Sequence, residues 1–174
     1  MESGRERWLK AGQELLREGG PRAVKIDALA ERSGLTTGSF YHHFSGMAAF
    51  LDDLARYYGV EQTEEHLRTL ADRPARERLA GLARIAADRQ MQPLDAAMRD
   101  WAGSNELAAD AVAAADAALF EFVADAFAEL GHSRNEARIR AALLLSAGVA
   151  RLEAPWALPR NLSSRILEIV LDAP

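Results

Sequence analysis

The chain has 174 residues, 49% of them hydrophobic and 27% charged, a composition that suits one or two compact soluble domains and excludes extended disorder. It contains no cysteine, which excludes disulfide scaffolds, thiolate metal sites and cysteine nucleophiles and fits a cytoplasmic setting. The formal net charge of −5 excludes a globally basic nucleic-acid binder, yet residues 1–50 hold 7 Lys and Arg against 6 Asp and Glu while the remainder holds 14 against 20.

No secretory leader or membrane span is expected. Glu2, Arg5, Glu6 and Arg7 stand where a leader would be apolar, and the longest apolar run, Ala141 to Ala150, is bracketed by Arg140 and Arg151. Helical spacing runs through the whole chain and no stretch alternates as a strand would, so the fold class is all-α. A first helix puts Trp8, Leu9, Gly12, Leu15 and Leu16 on one stripe and stops at Gly19-Gly20-Pro21. A short second helix turns Ile26, Leu29 and Ala30 inward and ends near Ser33-Gly34. Leu35 then points in, Thr36 caps, and a third short helix directs Phe40 and Phe44 to the core at i, i+4.

A longer helix follows Gly46, with Met47, Phe50, Leu51, Leu54 and Tyr58 as its buried stripe, and runs unbroken to about Ala71. The next is expected to bury Leu79, Leu82, Ala83 and Ala86, and another buries Leu94, Ala97, Met98 and Trp101 before Gly103. The longest, from about Asn105 to Leu130, carries Leu119, Val123, Phe127 and Leu130 and stops at Gly131. Ser133-Arg134-Asn135-Glu136 reads as a capping box. The last two helices, with Leu143, Leu144, Leu145 and Val149 in one and Ile166, Leu167, Ile169, Val170 and Leu171 in the other, are too apolar for a single buried face. A second copy of the chain packed on them would form a four-helix homodimer interface.

The two short helices joined by "RSGLT" have the spacing of a helix-turn-helix. With Phe40 inward, the second of them displays Thr37, Gly38, Tyr41 and His42, with Ser39 near that face. Hydroxyls can meet base edges, a threonine methyl can meet a thymine methyl, and glycine lets the backbone approach a groove. Tyr41 also has a plainer reading, a surface aromatic lying over the core. His42 and His43 diverge on the helix and have no third ligand at i+4, so no metal is expected.

The stretch "LLREGGPRAVKIDALAERSGLTTGSFYHHFSGMAAFLDDL", Leu15 to Leu54, resembles the TetR family of one-component bacterial transcriptional regulators, above all in "IDALAERSGLTTGSFYHHF". The resemblance implies a three-helix helix-turn-helix DNA-binding domain at residues 1–46 and a helical bundle for ligand binding and dimerisation at 47–174. It implies a ligand-responsive regulator, a repressor, that binds a palindromic double-stranded DNA operator as a homodimer, without a cofactor and without catalysis. Thr36, Thr37, Gly38 and Ser39 would start the helix in the major groove. Tyr41 would hold a backbone phosphate, His42 would face the groove, and His43 would serve either packing or a phosphate. The family often has threonine where this chain has Lys25, and lysine where it has Met47; Lys25 would add a phosphate-seeking charge, with Arg5, Arg7 and Arg22 as supplementary contacts. Met98, Trp101, Phe120, Phe122 and Phe127 would line an effector pocket or be plain core, and His66, Asp100 and Arg89 could add polar contacts. Two other classes remain at this point: a helical interaction protein whose DNA contacts have decayed, and an all-α enzyme using His66.

Overall fold

A computed structural model describes residues 3–86, 91–149 and 162–172. They form α1 (Gly4–Gly19), α2 (Ile26–Ser33), α3 (Thr37–His43), α4 (Met47–Arg56), α5 (Thr63–Leu70), α6 (Ala75–Ala86), α7 (Met91–Ala102), α8 (Glu106–Glu129), α9 (Arg134–Val149) and α10 (Leu162–Asp172). A 3₁₀ turn, Pro21–Ala23, precedes α2, and a π-helical segment, Tyr57–Gln62, joins α4 to α5. The protein is all-α, with no strand among the described residues. These residues divide into two units: one takes the chain up to residue 63 together with 92–115, the other takes 64–91 and the chain from 116 onward.

The first unit is organised by aromatic rings. Trp8 of α1 meets Phe40 of α3 edge-on at 5.3 Å, Phe40 meets Phe44 at 5.1 Å, and Phe44 stands perpendicular to Phe50 of α4 at 5.0 Å. Gly12 lets α1 and α4 approach: a Cβ there would lie 2.9 Å from the Phe50 ring and 3.1 Å from Leu54. Gly20 ends α1 at φ 66°, a conformation that costs other residues free energy. Leu94, Met98 and Trp101 of α7 and Ala108, Ala111, Val112 and Ala115 of α8 complete the same core.

The expected unbroken helix from Met47 carries the π-helical segment in its middle. Widening the turn frees carbonyls from their usual i+4 partners, and the Thr63 hydroxyl donates to the Tyr58 carbonyl at 3.1 Å. Different residues of this segment then meet α8, α7 and α1. Gly59 lies against the α8 backbone, where a Cβ would come within 2.4 Å of the Ala111 carbonyl oxygen. The Tyr58 hydroxyl donates to Asp95 of α7 at 2.7 Å, and Gln13 of α1, only 2% exposed, donates to Gln62 at 2.9 Å.

In the second unit Leu79, Val123, Phe127, Ala137, Ala141, Leu167 and Val170 form the core. The stripe of α6 sits nearer its start than expected. Ala86 is exposed, whereas Ala75 and Arg78 are buried beside Leu79, with Leu82 and Ala83 half-buried. Arg78 can occupy such a position because its stem lies in apolar surroundings while its head pairs with Glu129 at 2.6 Å and stacks 5.4 Å over Phe122. Gly131 stops α8 at φ 99°. Half of the capping box is present: the Ser133 hydroxyl accepts the Glu136 amide at 3.3 Å, but the Glu136 carboxylate turns to Arg140 at 2.8 Å and His132 at 3.3 Å. Buried Arg140 in turn donates to the Val170 carbonyl, which ties α9 to α10. Ile139 and Leu143 on α9 and Ile169 on α10 are 52%, 58% and 64% exposed. The Val149 side chain, Ala150 and Arg151 lie outside the described residues.

Candidate DNA-binding site

The helix-turn-helix is assembled by local chemistry. Gly34 takes the left-handed conformation at φ 66° and its amide closes α2 on the Ala30 carbonyl at 3.0 Å. The Ser33 hydroxyl accepts the Leu35 amide at 3.2 Å, and Leu35 packs against the first core. Thr36 then caps α3, its hydroxyl accepting the Ser39 amide at 3.3 Å. With Phe40 and Phe44 buried, the outer face of α3 is set by helical geometry.

On that face Thr37, Gly38, Tyr41 and His42 are exposed, Thr36 is exposed at its start, and Ser39 is half-buried. Tyr41 is 61% exposed; its ring rests edge-on against Phe40 at 5.5 Å. The ring thus lies over the core, as the plainer reading has it, and the residue still presents most of its surface outward. His43 lies across the start of α1: a Cβ on Gly4 would come within 2.8 Å of its Nε2. Its ring meets that of His42 edge-on at 5.2 Å. Lys25 is exposed at the head of α2, where it makes no side-chain cap.

The cations around the helix-turn-helix are mostly engaged. Arg5 pairs with Asp53 of α4 at 3.3 Å and with Glu61 of the π-helical segment at 3.2 Å. Arg7 donates to the Ser33 carbonyl at 2.6 Å. Arg32 bridges Glu14 at 3.2 Å and Glu18 at 2.8 Å, and its hydrogen bonds to these carboxylates, Glu18 first, push its guanidinium further up from the ordinary arginine value. The same contact holds the Glu18 carboxyl below the usual glutamate range. Lys10 pairs with Glu6 at 2.9 Å. Arg22 and Lys25 are exposed with no ion-pair partner among the described residues. Of the expected supplementary contacts, then, Arg5 and Arg7 are committed to protein groups. Met47, where a lysine was the family's habit, is half-buried against the first core, so its side chain contributes apolar contact in place of charge.

The expected effector residues are not gathered into one cluster. Met98 and Trp101 are buried in the core of the first unit; Phe127 is buried in that of the second, with Phe120 packed on it under the Arg138 guanidinium at 4.6 Å. His66 is half-buried, Asp100 is exposed, and Arg89 lies outside the described residues. Reading the sequence alone missed the roles of Arg7 and of the Gln13–Gln62 pair, whose partners lie 26 and 49 residues away; no local spacing signals such contacts.

A left-handed glycine turn between two short helices, with an outward polar face on the second, defines a helix-turn-helix protein. Residues 9–54 match the family described as bacterial regulatory proteins, tetR family. The fold of the chain is that of several solved structures. A transcriptional regulator from Rhodococcus sp. Rha1 is 21% identical, with a TM-score of 0.73, 97% of this chain and 94% of that chain covered. Reduced NemR from E. coli is 18% identical, with a TM-score of 0.67 and coverage of 97% and 95%. FadR from Bacillus subtilis, solved in complex with stearoyl-CoA, is 16% identical, with a TM-score of 0.62 and coverage of 97% and 98%. At these identities the likeness is one of fold. No curated protein matches the sequence. No described helix is long and apolar enough to cross a membrane.

Proposed function

We propose that the protein is a ligand-responsive transcriptional repressor that binds a palindromic operator as a homodimer. Residues 1–46 would read the DNA, and residues 47–174 would hold the effector and the dimer interface. The observation that carries this reading is the outward face of α3, where Thr37, Gly38, Tyr41 and His42 stand exposed on a helix anchored by Phe40. Thr37 and Ser39 offer hydroxyls to base edges, Gly38 admits the backbone, and the Tyr41 phenol reaches a phosphate. Thr36, Lys25 and His43 border the face, with Lys25 and Arg22 supplying charge to the DNA backbone.

Two copies are needed to read two half-sites about 34 Å or a multiple of that apart. Exposed Ile139, Leu143 and Ile169 support a second copy packed on α9 and α10, since an isolated chain would leave this apolar surface in water. An effector would act by preferring a state in which the two heads do not match the operator. Equal affinity for both states shifts nothing, and a full switch needs about 5.5 kcal/mol of preference. FadR from Bacillus subtilis, which shares this fold, is solved in complex with stearoyl-CoA, which supports a small-molecule effector for this chain.

A gel-shift titration over a salt series tests the reading. Saturable, sequence-selective and salt-sensitive binding is expected. Tyr41→Phe should weaken binding to most sequences, and Thr37→Ala should change base preference by about 1–3 kcal/mol at one position of each half-site. Salt-insensitive binding, or binding indifferent to both substitutions, would refute it.

A further inference from the structure

The turn into α3 begins with the peptide unit between Ser33 and Gly34, and both of its polar groups are held. The Gly34 amide donates to the Ala30 carbonyl at 3.0 Å, and the Ser33 carbonyl accepts from Arg7 Nη2 at 2.6 Å. The next amide, Leu35, is taken by the Ser33 hydroxyl at 3.2 Å. A carbonyl in the last turn of a helix has no partner within the helix and carries partial negative charge, so a guanidinium is a well-matched donor there. The guanidinium also lies across the turn, since a Cβ on Gly34 would be 3.6 Å from Arg7 Nη2. Arg7 belongs to α1, and α1 is itself strapped to α2 by Arg32 with Glu14 and Glu18. Only Gly34, Leu35 and Thr36 separate α2 from α3. Rotation of the Ser33–Gly34 plane would therefore swing α3 and the face it presents.

From this geometry we infer that Arg7 is a positioning residue for α3: its charge is used to lock the helix-turn-helix turn and not to bind a DNA phosphate. The inference rests on the DNA-binding reading for its functional consequence. Arginine on the outside of a DNA-binding head is ordinarily a phosphate ligand, and the two roles leave different signatures. A phosphate ligand contributes to the salt slope on any duplex, whereas a positioning residue contributes only where α3 must meet base edges in register.

The test uses the full chain with Arg7→Met, the duplex that the wild type selects from a random-sequence pool, and an unrelated duplex, each titrated over a salt series. The variant should bind the selected duplex about tenfold more weakly, bind the unrelated duplex as the wild type does, and keep the wild-type slope of log K against log salt. A slope shallower by about one, with both duplexes weakened, would make Arg7 a phosphate ligand and overturn the inference. Unchanged affinity for both would overturn it in favour of a merely structural brace. Amide hydrogen exchange on the DNA-free variant judges the lock separately: Gly34 and Leu35 should exchange faster while α4 is unaffected, and unchanged exchange at both would contradict it. Failure of the wild type to select any duplex would sink the DNA-binding reading, with the exchange result still deciding whether Arg7 holds the turn.

Discussion

A guanidinium near the helix proposed to read DNA can be offered to a phosphate or spent within the protein, and in this chain Arg5, Arg7 and Arg32 are spent within it. Each ties α1 to another part of the first unit: Arg5 to Asp53 and Glu61, Arg7 to Ser33, and Arg32 back to Glu14 and Glu18. The Arg32 strap has a testable pH dependence. Arg32 holds Glu18 below the ordinary glutamate range, so the contact is fully present above that range and is lost only as pH falls through the lowered folded value. A carbon-detected NMR titration should therefore place the Glu18 midpoint below about 4.3, the ordinary value, and Arg32→Gln should raise it. The same midpoint in both proteins would contradict the strap. The exposed face of α3 was legible in the sequence because it depends on near neighbours: Gly34, Thr36 and Phe40 fix it within seven residues. The uses of Arg5 and Arg7 were not, because their partners come from distant segments.

Among the elements, the π-helical segment is the one that periodicity could not reveal. Tyr58 continues the apolar stripe of α4, so an unbroken α-helix to Ala71 satisfies the pattern equally well. What distinguishes the wider turn is the set of neighbours it must meet at once, α1 through Glu61 and Gln62, α7 through Tyr58 and α8 through Gly59. Gly59→Ala tests this packing. The new methyl would meet the Ala111 carbonyl, so the substitution should destabilise the protein by about 1–3 kcal/mol in urea unfolding, and an unchanged midpoint would show that the contact yields freely. On α6 the apolar spacing pointed to Ala86, yet Arg78 took an inward position because its stem is apolar and Glu129 and Phe122 receive its head. Composition alone does not register such a partner.

For the molecule as a whole, the apolar excess in the last two helices was visible in the sequence, and Ile139, Leu143 and Ile169 remain exposed in the single chain. The homodimer proposed on this surface predicts that wild type sediments as a dimer and that Leu143→Glu sediments as a monomer. A monomeric wild type, or a variant that stays dimeric, would remove α9 as the interface. The effector's place was not legible in aromatic spacing, because Met98 and Trp101 serve one core and Phe127 another. The most direct measurement of the central claim is an amide NMR titration of the protein with the duplex it selects. The account predicts that the largest shifts fall on Thr36 to His43 and on Lys25. Saturating duplex that leaves Thr36 to His43 unperturbed, or that perturbs only α9 and α10, would contradict it.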